Sequence, residues 1–330
     1  MRSISGVARS LREEDIRPDA LMAEQARLYA ADVERLVARA DTFVEVACPA
    51  CDAPGWEPQW RKYGLTYRRC VACGTVYVSP RPTPAQLDEH YRTSANHEYW
   101  SRVVFPASED ARRERIFRPR AQRVAELAGA RGTLLDVGAG FGTFCEEARG
   151  TFDRVIALEP GPQLAARCRE RGLEVVEARI EDAPLDGTLD VATAFEVIEH
   201  LFSPREFVTR CAELLHPGGL LVLTCPNVAG FDVQLLGEAS PTVDAEHLNY
   251  FTPAALSALV ERSGLAVVEA STPGRLDAEL VRKRALAGEA ALDPFLKRVL
   301  IDEWEQLGEP FQDFLAGAGL SSNLWLVARR

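Results

Sequence analysis

Three groups of residues in this chain have the types and spacing to do chemistry. The first is Leu134-Leu135-Asp136-Val137-Gly138-Ala139-Gly140-Phe141-Gly142-Thr143-Phe144, an apolar run that passes an acid and enters a glycine turn. Glycines carry no side chain to hold a ligand away from the backbone. A dinucleotide fingerprint needs G-x-G-x-x-G, with its third glycine at 143, where this chain has Thr143. The spacing here is G-x-G-x-G behind Asp136, and a carboxylate at that point disfavours a pyrophosphate and favours a positively charged ligand. The second group, Cys48, Cys51, Cys70 and Cys73, has the spacing C-x2-C-x18-C-x2-C of a four-thiolate zinc site. Four protein ligands leave no open position, so such a zinc is structural. The third group is a pair of histidines beside acids, in Phe195-Glu196-Val197-Ile198-Glu199-His200-Leu201 and Asp244-Ala245-Glu246-His247-Leu248-Asn249-Tyr250-Phe251. A neighbouring carboxylate raises and orients an imidazole, which can then act as a base near neutral pH.

Elements must hold these groups in place. Val155-Ile156-Ala157-Leu158 is a short apolar run, hence a second buried strand, and it delivers Glu159. A carboxylate at that point can accept from both hydroxyls of a ribose. From residue 133 onward, strands alternate with helices at doubly wound spacing, with strands near 133, 155, 173–177, 189–195, 220–224, 265–270 and 323–328. Ser203-Pro204-Arg205-Glu206 reads as a helix start, with Ser203 as N-cap and Glu206 closing a capping box. His216-Pro217-Gly218-Gly219 ends that helix and turns the chain into a strand, while Thr252-Pro253 opens the next helix and Ser263-Gly264 closes it. Residues 276–318 read as inserted helices.

Ahead of the sheet, Leu21, Leu28, Val33, Leu36 and Val37 mark an amphipathic helix. A proline-rich stop at 79–84 ends the cysteine ribbon, and His90, Tyr91, His97, Tyr99 and Trp100 form a cluster after it. Arg112, Arg113, Arg115, Arg118, Arg120 and Arg123 form a basic run, read as a helix face balanced by acids rather than a grip for an anionic substrate. The expected organisation is a helical segment at 1–43, a zinc ribbon at 44–82, a lid or connector at 83–114 and a ligand-binding domain at 115–330.

The net charge of −11 argues against a general nucleic-acid binder. No stretch approaches the length of a membrane span, and no apolar leader opens the chain, so cytoplasmic residence as a monomer or homodimer is expected. Cys145, Cys168, Cys211 and Cys225 stand apart and read as buried packing residues.

The glycine turn behind Asp136 resembles the first motif of class I S-adenosylmethionine (SAM) methyltransferases, and Phe195–Leu201 resembles their fourth. The resemblance covers about 115–272 and the last eight residues. It implies an α/β fold: a Rossmann-like, doubly wound seven-stranded sheet, mostly parallel, that transfers methyl from SAM (EC 2.1.1). It implies donor contacts from Asp136, Gly138, Ala139, Gly140, Phe141, Glu159 and Pro160, adenine contact from Glu181 or Asp182, and Phe195 and Glu196 at the donor border. The E-H-L-x-Y-F stretch and the cysteine module resemble small-molecule methyltransferases of the ubiquinone-biosynthesis and sugar C-methylating types. That resemblance implies O- or C-methylation of a small molecule, such as a nucleotide-linked sugar or secondary metabolite. His247 is the expected base with Glu246 behind it, His200 the second choice, and Tyr91, Tyr99, Asn227 and Tyr250 face substrate. Glu196, Glu199 and His200 leave a catalytic cation open. The alternative is a zinc-ribbon-guided RNA or protein methyltransferase or recognition protein. Against it stand the acidic charge, the absence of basic enrichment within 48–73, and Phe195-Glu196-Val197-Ile198 where an N-P-P-Y-type motif would present a flipped base.

Overall fold

The structure, a computed structural model, describes residues 11–129, 131–186 and 188–330. It opens with helices α1 (Glu13–Ile16) and α2 (Asp19–Val37), followed by strands β1 (Trp56–Lys62), β2 (Leu65–Cys70) and β3 (Val76–Val78). Four helices come next: α3 (Pro84–Thr93), α4 (Ala95–Tyr99), α5 (Phe105–Arg112) and α6 (Arg118–Ala128), with π-helical turns joining α4 to α5 and α5 to α6. Thr83 and Gln86 cap α3 reciprocally, each side chain accepting from the other's backbone N–H.

Strands and helices then alternate: β4 (Thr133–Val137), α7 (Thr143–Ala148), β5 (Arg154–Leu158), α8 (Pro162–Glu170), β6 (Glu174–Val176), β7 (Leu189–Phe195), α9 (Pro204–Leu214) and β8 (Leu215–Pro226). The chain continues through α10 (Phe231–Leu236), β9 (Asn249–Tyr250), α11 (Pro253–Arg262), β10 (Ala266–Ser271), α12 (Asp277–Leu286), α13 (Pro294–Lys297), α14 (Trp304–Gly317) and β11 (Asn323–Arg329). The main sheet runs β10-β11-β8-β7-β4-β5-β6. β4 pairs in parallel with β5 and β7, and so do β5 with β6 and β7 with β8; β11 lies antiparallel between β8 and β10. The fold is therefore a doubly wound α/β sheet. From β4 the chain goes to β5 on one side and returns through β7 on the other, which opens a ligand crevice at their C-terminal ends. Leu134, Leu135, Val191 and Ala192 are fully buried, as strands covered on both faces require.

Residues of α9 and α11 pack on one face of the sheet, and residues of α6, α7 and α8 on the other. The first of these cores also contains Cys48, Cys70 and Tyr77, so the ribbon shares the core of the main sheet. A second sheet, β1-β2-β3-β9, takes its last strand from beyond β8, through Val76 opposite Tyr250 and Tyr77 opposite Asn249.

At the end of β3, Arg81 is completely buried, and burial pushes its pKa down to about 9. Its guanidinium donates to the carbonyls of Val78, Phe202 and Leu248 and to Asn249 Oδ1, at 2.9–3.1 Å. Hydrogen bonds from a charged donor contribute about 1.5–3 kcal/mol each, enough in sum to offset a desolvation cost of several kcal/mol.

Two local expectations change. Ser203 makes no side-chain cap; Pro204 in the first turn starts α9 without a capping box. Residues 216–219 lie within β8 rather than outside it, and the irregularity appears as a register break opposite Leu189 and Val191. Among the described residues, no helix is long and apolar enough to cross a membrane.

Candidate active site

β4 ends in Val137, and the glycine turn leads into α7 at the crevice. Gly138 has φ +72°, and a Cβ there would come within 2.7 Å of Val197 Cγ2, so this position needs glycine on both counts. Asp136 is 4% exposed; its Oδ1 accepts from the Thr193 hydroxyl at 2.7 Å, and burial pushes its pKa up to about 7. Glu159 follows β5. One carboxylate oxygen accepts from Gly140 N and the other from Gly161 N, both at 2.8 Å, and burial raises its pKa. Gly138, Ala139, Gly140, Phe141, Asp136 and Phe195 share a cavity of about 120 Å³, also lined by Phe105, whose ring stacks on Phe141 at 3.6 Å. Pro160 is exposed beside Glu159.

Of the arginine run, most members meet acids: Arg113 with Glu146 and Glu147, Arg115 with Asp15, Arg118 with Glu147, and Arg123 with Glu269. Arg120 differs. Its guanidinium lies over the ring of Phe195, itself a cavity residue, 4.9 Å from the centroid, and 3.6 Å from the Glu196 carboxylate. Glu196 itself holds φ +57° and accepts from Thr224 Oγ1 and Asn323 Nδ2.

Beyond β7, a short 3-10 turn carries Ile198, Glu199 and His200. A Cβ at Gly138 would meet Val197, so this turn adjoins the cavity that Gly138 lines. His200 Nδ1 lies 3.1 Å from the Glu246 carbonyl and 3.1 Å from the Tyr91 hydroxyl. His247 Nδ1 lies 3.0 Å from the Thr242 carbonyl and 3.3 Å from Asp244 Oδ2. A carbonyl can only accept, so each Nδ1 carries a proton, and in the neutral ring Nε2 is the nitrogen with the lone pair. The two rings meet edge to face at 4.7 Å. Burial pushes the His200 pKa down to about 3. Beside them, Glu199 is fully buried with neither carboxylate oxygen hydrogen-bonded, and burial pushes its carboxyl well up. Donor atoms of Glu199, His200 and His247 all fall within 4.8 Å of one another, a set that could hold a cation.

Glu246 does not stand behind His247. Its two oxygens receive His90 Nε2 at 3.0 Å and His97 Nε2 at 3.1 Å, which fastens α3 and α4 to the 244–250 segment. Burial alone would raise the Glu246 pKa, but the two imidazoles hold it well below the usual range. Asp244 takes the place at His247, because its Oδ1 accepts from the backbone N–H of both Glu246 and His247 and turns the loop onto it.

Three expected substrate residues are used otherwise. The Tyr99 hydroxyl donates to Leu21 O; Tyr250 is buried among Trp60 and Tyr67; Asn227 spends its amide on Ser321 O and Ala229 N. Tyr91 stays at the centre through His200. Glu181 and Asp182 are both exposed, and Asp182 faces Arg179 at 3.5 Å.

The four ribbon sulfurs lie within 4.8 Å of one another, with Cys48–Cys73 and Cys51–Cys70 each at 3.5 Å. Zinc–sulfur bonds of about 2.3 Å give a tetrahedral edge of about 3.8 Å, whereas a disulfide needs about 2.05 Å, so the set fits a thiolate metal site. The sequence analysis did not foresee Asp244 beside His247, Arg120 over Phe195 or the histidine clasp on Glu246. Asp244 adjoined the quoted motif; the other two contacts carry no local signature.

A switch-point crevice with a glycine turn after β4, an acid at the end of β5 and a short turn after β7 is the architecture of a class I methyltransferase fold. Residues 109–270, just under half of the chain, match the methyltransferase domain family. A ubiquinone biosynthesis O-methyltransferase of Xanthomonas euvesicatoria is 32% identical over 161 residues, spanning 44% of this chain and 66% of that relative. The chain thus matches just under two thirds of that relative's length. A Mycolicibacterium smegmatis protein named "Probable S-adenosylmethionine-dependent methyltransferase" is 30% identical over 149 residues, 44% of this chain and 56% of its own. In solved structures, a chain of the Haloferax volcanii complex between the Trm112 methyltransferase activator and its methyltransferase superposes with a TM-score of 0.50. It is 17% identical over 70% of this chain and 96% of its own, a likeness of fold alone.

Proposed function

We propose that the chain transfers a methyl group from SAM to an oxygen or carbon of a small molecule, with His247 as the base. The observation that carries this reading is the pair of imidazoles, His200 from the turn after β7 and His247 packed edge to face on it, each fixed at Nδ1 by a backbone carbonyl. SAM supplies an electrophilic methyl on a sulfonium, taken by in-line displacement. In this reading Asp136 meets the ammonium, Arg120 the carboxylate, Glu159 the ribose, and Glu181 or Asp182 the adenine. Ligand pockets run to about 300–1,000 Å³, so Phe105 must part from Phe141 to admit the donor. His247 Nε2 takes the acceptor's proton, and Asp244 stabilises the imidazolium that forms. His200 has a phenol and a carbonyl at Nδ1 in place of such a carboxylate, which makes it the second choice. Zinc at Cys48, Cys51, Cys70 and Cys73 is structural.

The partnerless Glu199 carboxylate favours a second reading, in which Glu199, His200 and His247 hold a divalent cation that acidifies an acceptor hydroxyl. Transfer of labelled methyl from SAM to a small-molecule extract, with RNA and protein as a separate pool, tests the function. Label in the small pool that His247→Ala abolishes, with S-adenosylhomocysteine binding kept, supports it. Label confined to the macromolecular pool overturns it. Activity lost on mild chelation and restored by magnesium selects the cation reading.

A further inference from the structure

The ribbon holds the segment that carries His247 at several points. Lys62 Nζ, in β1, donates to the carbonyls of Ser240 and Val243 at 3.1 and 2.6 Å. The Tyr67 hydroxyl, in β2, donates to Asp244 O at 2.7 Å. From β3, Val78 N donates to Leu248 O, next to His247, and the strand pairs with Asn249 and Tyr250. The second cysteine pair is itself the turn from β2 into β3: Gly74 N donates to Cys70 O, Cys70 N to Thr75 O, and Cys73 Sγ meets Thr75 Oγ1.

Arg81 joins this frame to both halves of the centre. Nη1 donates to Phe202 O, just past the Glu199–His200 turn, while Nη2 donates to Leu248 O and Asn249 Oδ1. Asn249 Nδ2 reaches back to Leu201 O at 2.8 Å, and Leu248 N donates to Glu199 O. The donor cavity rests instead on β4, α7 and the end of β7.

We propose that the cysteine ribbon is the positioning frame of the active centre, with Arg81 as its positioning residue. Metal at the four cysteines fixes β3, and β3 with Arg81 fixes the Glu199–His200 turn relative to the His247 segment. The inference takes the chemistry of the centre from the methyltransferase reading, but the frame itself does not depend on it.

Hydrogen exchange on the full chain tests it, comparing the zinc-loaded protein, the protein stripped by a strong chelator, Arg81→Lys and Tyr67→Phe. Calorimetry with S-adenosylhomocysteine runs alongside. In the stripped protein and in Arg81→Lys, amides of 198–202 and 244–250 exchange at least about ten-fold faster, while the S-adenosylhomocysteine Kd stays within about three-fold. Methyl transfer falls in kcat and not in the KM for SAM. Tyr67→Phe keeps every cysteine and Arg81, and speeds exchange only within 244–250; it carries the test if Arg81→Lys does not fold. Stripped protein whose 44–80 amides exchange freely while 244–250 stays as protected as before overturns the frame. If the zinc-loaded protein binds no S-adenosylhomocysteine, the methyltransferase reading fails and the exchange comparison still decides the frame.

Discussion

Asp136→Asn tests the proposed donor site through its dependence on pH. Burial raises the Asp136 pKa from 3.8 to about 7, so near neutrality about half of the ligand-free molecules carry it protonated. An ammonium ligand binds best to the ionised carboxylate. If it binds only that form, the apparent Kd carries a factor of 1 + 10^(pKa − pH), about 11 at pH 6 and about 1.1 at pH 8. S-adenosylhomocysteine should therefore bind about ten-fold more weakly at pH 6 than at pH 8, releasing about 0.9 proton on binding at pH 6 and about 0.1 at pH 8. Titration calorimetry in two buffers of different ionisation enthalpy counts those protons. The folded form binds more protons than the unfolded chain between the two pKa values, so stability falls as pH rises from about 4 to 7. A shift of about 3 units is worth at most about 4 kcal/mol, so Asp136→Asn should unfold later than wild type at pH 8 and show no such gain near pH 4. Equal affinity at pH 6 and pH 8, or a variant as pH-dependent as wild type, would refute the placement of the ammonium.

Other perturbations have directions set by geometry. Gly142→Ala puts a Cβ at φ +73°, 2.4 Å from Leu173 Cδ1; left-handed strain and overpacking should together cost about 2–5 kcal/mol, read by urea denaturation. Glu246→Gln removes the charge that His90 and His97 grip, and hydrogen exchange across 84–104 should rise while the main sheet stays protected. His247→Ala should lower methyl transfer by about 10²–10⁴-fold, the range for a lost general base, without weakening S-adenosylhomocysteine binding measured by calorimetry.

The strands, and the places of Asp136 and Glu159 near their ends, were legible because their causes are local. Val155–Leu158 is apolar and short, Asp136 and Glu159 close their strands, and the cysteines declare themselves by spacing. Thr252 was legible as a cap for the same reason, while Ser203, in an equally good motif, adopts a backbone that makes no cap. The role given to Glu246 failed because adjacency in sequence does not fix where a loop side chain points. Two imidazoles from helices about 150 residues away took it. Tyr250 and Asn227 failed likewise: their polar atoms were claimed by backbone groups that only the folded chain brings near. Arg81 had no signature at all, since three of its four partners are backbone carbonyl groups, which every residue possesses.

The pairing of Val76 with Tyr250 spans more than half the chain, and this bears on how the protein is made. During synthesis the cysteine turns can gather a metal early, but β3 keeps an open edge until residue 250 has left the ribosome. Through that interval a short, wholly apolar strand, Val76-Tyr77-Val78, is available to any other strand that meets it. Fragments ending before 249 should accordingly associate with one another, and the ribbon cannot be transplanted to a different protein as a self-sufficient unit. Inheritance of this module is thus bound to inheritance of the loop that completes it.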